Sequence, residues 1–132
     1  MRPTNTGAGR ALVLVYGILA LAAVARGAYQ VTTRLDEAPA AYLLSLASGL
    51  VYVVATFALA TDRRRLAWVA VLIELAGVLV VGVASLVAPQ TFRHPTVWSV
   101  FGAGYGFVPL VLPFLGVAWL WRTGRGAPQP AR

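Results

Sequence analysis

The sequence predicts an all-α membrane protein, a bundle of four transmembrane helices with both termini on the cytoplasmic side, on three observations. The chain has 132 residues, of which 59% are hydrophobic and 11% charged, and its mean hydropathy is +0.76. No soluble fold of this size could hide so much apolar surface from water. Four stretches, 11–33, 40–60, 66–88 and 97–121, meet or approach the roughly 20 apolar residues that cross about 30 Å of hydrocarbon. The basic residues, all arginine, sort by end: Arg2, Arg10, Arg63, Arg64, Arg65, Arg122, Arg125 and Arg132 against Arg26, Arg34 and Arg93. That asymmetry on short loops places the termini and the 61–65 turn in the cytoplasm of a plasma-membrane protein.

The net charge of +7 suggests nucleic acid only until position is considered. Arginines at helix ends face anionic lipid headgroups, each worth on the order of 1 kcal/mol, so the expected partner is the bilayer and not a nucleic acid. Cysteine is absent, which excludes disulfides, thiolate metal sites and dithiol redox chemistry. The lone histidine, His94, cannot supply both axial ligands of a membrane b-type haem. No cofactor and no metal are expected.

Residues 1–10 are polar and broken by Pro3 and two glycines, and read as a flexible cytoplasmic tail. The run Ala11–Ala25, with a basic leader and Ala23-Val24-Ala25 at its end, also fits a cleavable signal peptide. A helical pattern continuing past Arg26 favours a retained first span. In that span's outer third Arg26, Tyr29, Gln30 and Thr33 share one face. The face suits either snorkelling to the outer headgroups or a polar vestibule.

The second span opens at Pro39 behind Asp36 and Glu37, a favoured start with negative charge at the positive end of the helix. Ser45 and Gly49 form a small-xxx-small pair for close helix packing. Tyr52 lies roughly 12 Å from the cytoplasmic end of its helix.

The third span, Leu66–Ala88, follows Arg63-Arg64-Arg65 and carries one acid, Glu74, at about the depth of Tyr52. That depth is beyond easy snorkelling, so Glu74 has to be neutral, paired or facing a polar cavity. It serves either as hydrogen-bonded glue between helices or in proton or ligand handling.

The fourth span runs from an interfacial Trp98 to Trp119 and Trp121 before Arg122. Gly102 and Gly106 make a GxxxG pair around Tyr105, and Pro109 and Pro113 follow. Each proline in a helix would free the carbonyl four residues before it, here those of Tyr105 and Pro109. A protonated Glu74 could donate to the Pro109 carbonyl or to Tyr52. Beyond Trp121 the glycine- and proline-rich tail is expected to be disordered.

No nucleophile–base pair, metal cluster or phosphate loop is visible, and Gly102-x-Gly104-x-Gly106 has the wrong spacing for a phosphate loop. The leading expectation is a non-enzymatic accessory or scaffold subunit, or a homo-oligomer. The alternative is a minimal proton-coupled transporter or channel built on Glu74 and a proline-hinged fourth helix. The stretch from Asp36 to Ser45, the membrane acid Glu74 and Gly104-Tyr105-Gly106-Phe107-x-Pro109 together resemble small four-span integral membrane proteins of actinobacteria. That resemblance implies a class without an activity. Size and a single membrane acid are also similar to small multidrug resistance transporters, but that family carries its acid in the first helix, where this chain has none.

Overall fold

The computed structural model describes residues 3–34, 36, 39–88, 98, 102 and 106–124. They form four helices: α1 (Ala8–Arg34), α2 (Pro39–Ala60), α3 (Arg64–Val87) and α4 (Val108–Gly124). No strand occurs among the described residues. The first three helices are long and apolar enough to cross a membrane, whereas α4 has 17 residues. Large apolar side chains such as Leu21, Val80 and Val87 point outward, as an all-α membrane bundle requires when lipid is its solvent.

Each helix packs on its sequence neighbour, α1 with α2 most extensively, and α1 and α4 touch least. The tight α1–α2 crossing depends on glycine. A Cβ on Gly27 would stand 2.8 Å from the Leu46 Cα, and one on Gly49 would stand 2.9 Å from the Val24 backbone nitrogen. Gly49 is thus a packing residue, as its spacing with the buried Ser45 suggests.

Polar ties gather one end of the bundle. The expected flexible tail is instead docked from Thr4 onward, and Thr4 is fully buried. Its N–H donates to Asp62 Oδ1 at 2.9 Å and its hydroxyl to the Leu59 carbonyl at 2.7 Å, while Asn5 Nδ2 donates to the Ala60 carbonyl at 2.8 Å. The last carbonyls of a helix lack intrahelical donors. Thr4 and Asn5 supply them to α2, a long-range fit that composition cannot reveal.

Trp119 Nε1 donates to the Thr4 carbonyl at 2.9 Å, and Arg64 Nη1 donates to the Leu120 carbonyl and to Thr123 Oγ1, each at 2.9 Å. Arg64 therefore turns inward to cap α4, where a cation also meets the negative helix end. Arg63 lies over the Phe57 ring at 5.4 Å. The start of α1, the α2–α3 turn and the end of α4 share this end.

The fourth apolar stretch departs from expectation. It is not one helix over 97–121, because Gly102, Gly106 and Phe107 have positive φ of 84°, 64° and 62°, which no right-handed helix accepts. The Phe107 N–H bonds back to the Gly102 carbonyl at 3.0 Å, and α4 begins only after this turn. Trp98 is not an interfacial anchor. It is 5% exposed and lies where a Cβ on Gly77 would meet its ring, about 20 Å along α3 from Arg64.

Candidate functional site

The centre of the bundle is built around Glu74, whose side chain is fully buried. Positions 67, 70, 71, 74, 78 and 81 of α3 are all buried, the helical period that turns one face inward. Glu74 stands on that apolar face.

Its partner comes from α1. Tyr16 Oη donates to Glu74 Oε2 at 2.7 Å and lies 3.5 Å from the Leu112 carbonyl of α4. Space for the hydroxyl comes from Gly116, where a Cβ would fall 3.0 Å from Tyr16 Oη and 3.1 Å from the Val71 methyls. One glycine thus lets α1 and α3 meet beneath α4. The other carboxyl oxygen, Oε1, is buried without a hydrogen-bond partner.

Beside this pair, Tyr52 and Trp98 form a second one, with Trp98 Nε1 donating to Tyr52 Oη at 2.6 Å. The Tyr16 and Tyr52 rings lie 6.4 Å apart, and Tyr52 and Trp98 are edge-on at 6.4 Å. Three aromatic residues and one acid so connect α1, α2, α3 and the segment before α4 across the core.

The expected hydrogen bond from Glu74 to Tyr52 or to the Pro109 carbonyl is not the one formed. Tyr52 is engaged by Trp98, and Tyr16, on the helix without an acid, reaches Glu74 first. Pro109 is not a mid-helix breaker either: it is the second residue of α4, where a proline costs no helical bond. Pro113 does lie inside α4, buried, and deprives the Pro109 carbonyl of its helical donor. Tyr105 and His94 fall outside the described residues.

Gly102 and Gly106 do not form a helix-packing pair. Both take positive φ; Gly102 is packed against the Pro109 ring, whereas a Cβ on Gly106 would meet nothing within 4 Å. Glycine serves the backbone here. Arg26 is exposed, as are Tyr29 and Thr33 on the same face, and the Arg34 guanidinium lies over the Tyr29 ring at 5.9 Å. Among the described residues Arg26, Tyr29 and Thr33 point away from the core, whereas Gln30 on the same face is half-buried, with Oε1 lacking a hydrogen-bond partner.

Tyr16 is the site residue that the sequence reading misses, and depth would have found it. Counted from Ala8 it lies roughly 12 Å along α1, close to the roughly 15 Å of Glu74 along α3 from Arg64. Among the described residues no group of three or more His, Cys, Asp or Glu comes together. Compared with known protein families, with curated proteins and with solved structures, the chain finds no match.

Proposed function

We propose that this chain is a non-enzymatic integral membrane protein of the plasma membrane that acts as a scaffold or accessory subunit, associating through its outer faces with a membrane-protein partner or with further copies. One observation carries the reading: three side-chain hydrogen bonds of the interior hold different segments to one another. Tyr16–Glu74, Trp98–Tyr52 and Arg64–Leu120 each join different segments, and a bundle locked in this way suits a rigid platform. The arginine distribution supports an orientation with the tied end in the cytoplasm against anionic headgroups.

The test is crosslinking in native membranes followed by mild purification. A defined crosslinked partner or homo-oligomer that persists in Glu74→Gln supports the scaffold, and a chain that stays monomeric and alone at every concentration rejects it.

Transport is the second reading, favoured by the unpartnered Glu74 Oε1, since buried acids with spare capacity mark proton paths in membrane proteins. It requires proton-coupled flux in proteoliposomes that Glu74→Gln abolishes.

A further inference from the structure

The seam between α1 and α4 is the loosest in the bundle, and it is pinned at two heights. Near the tied end Trp119 holds Thr4 at 2.9 Å, and deeper in the core Tyr16 approaches the Leu112 carbonyl at 3.5 Å. Between these points the outer surface of the seam opens into a groove of about 350 Å³. Its lining is apolar: Ala8 and Ala11 leave room beside Val15 on the α1 wall, as Ala118 does beside Leu115 on the α4 wall. Its mouth carries one charge, Arg122. That guanidinium is exposed and makes no hydrogen bond or ion pair among the described residues.

We propose that this groove is a binding site for one anionic phospholipid, with an acyl chain lying along the seam and the phosphate held by Arg122. Length decides for a lipid over a helix. From Arg122 to Leu112 the groove runs roughly 15 Å along α4, half of the about 30 Å hydrocarbon thickness, so it accommodates one leaflet's chain. A partner transmembrane helix would need a groove that continues across the other half, where the Tyr16–Leu112 approach narrows the seam. Charge decides for an anionic lipid. An arginine presents paired N–H donors that match two phosphate oxygens, and an anionic headgroup carries no choline to offset them. The site does not rest on the scaffold reading, because it uses neither the Glu74 pair nor a protein partner.

The test is native mass spectrometry of the full-length, delipidated chain in detergent, titrated with phosphatidylglycerol or phosphatidylcholine. The expected result is one phosphatidylglycerol retained in preference to phosphatidylcholine, with Arg122→Gln lowering that preference about fivefold. Ala118→Trp, which fills the groove, should lower retention of both lipids. Arg122 is exposed, so its variant leaves the fold intact and keeps the test decisive if Ala118→Trp does not fold. Equal retention of the two lipids, or no change in Arg122→Gln, overturns the proposal. Because the chain has no cysteine, Ala118→Cys can be read without background in bilayers. Efficient disulfide-linked dimers would assign the groove to a second copy and likewise overturn the proposal.

Discussion

Tyr16 on α1 donates its hydroxyl to Glu74 Oε2 on α3 at 2.7 Å, in a position where both side chains are fully buried. The contact spans helices separated by 58 residues and is the central polar link of the bundle. Tyr16→Phe strips the carboxyl of its donor and leaves both oxygens unpartnered, which should cost about 1–3 kcal/mol. Glu74→Gln keeps an acceptor for Tyr16 and should cost less. Unfolding in mixed micelles measures both, and the double variant gives a coupling of on the order of 1 kcal/mol if the pair acts as a unit.

The α1–α2 crossing predicts opposite fates for three glycines. At Gly27 and Gly49 an added methyl would meet backbone atoms at 2.8 and 2.9 Å, which cannot yield without separating the helices. Alanine at either should lower stability by about 1–3 kcal/mol. At Gly17 the nearest atom is a Thr56 methyl at 3.6 Å, an ordinary contact. Gly17→Ala should be neutral or stabilise by up to about 1 kcal/mol through helix propensity. Thermal melts of the three variants in one detergent decide the matter.

The turn before α4 separates strain from clash. Gly106→Ala adds a methyl in open space at a φ of 64°, so it should cost only the left-handed penalty of about 1–2 kcal/mol. Gly102→Ala adds to that a collision with the Pro109 ring at 2.7 Å and should cost distinctly more. Phe107 occupies the same region with φ 62° and is 47% exposed. Phe107→Gly should therefore stabilise the chain by up to about 1 kcal/mol, and a lower melting temperature in that variant would contradict the turn described above.

Arg64 ties α3 to the end of α4. Arg64→Ala should release the last turn of α4, seen as faster amide exchange there, at a cost of about 1–2 kcal/mol. Arg64→Lys should recover part of it, since both bonds come from one nitrogen, Nη1, whose place a strongly hydrated ammonium on a flexible stem fills less well. Arg65→Ala serves as the control, because that side chain is exposed.

The helices themselves are legible in the sequence because lipid imposes one simple condition, long apolar runs with internally satisfied backbones. The positions of α1, α2 and α3 follow from that condition, with α1 starting three residues and α3 two residues earlier than the apolar runs, and so do the anomaly of Glu74 and the packing role of Gly49. Local chemistry misleads where the chain folds back on itself. Gly102, Gly106, Pro109 and Trp98 read as a kinked helix with an interfacial end, yet they form a turn, a helix start and a core ring.

By itself, then, the sequence determined the class of the protein, the spans of its long helices and the presence of an acid that needed a partner, because these depend on composition and period. Only the tertiary structure decided which partner that is. Tyr52 and Tyr16 lie at comparable depths, and the choice between them depends on helix rotation and on the space that Gly116 leaves beneath α4. The same holds for Thr4 and Arg64, whose roles come from carbonyls at distant helix ends that no local pattern of residues marks.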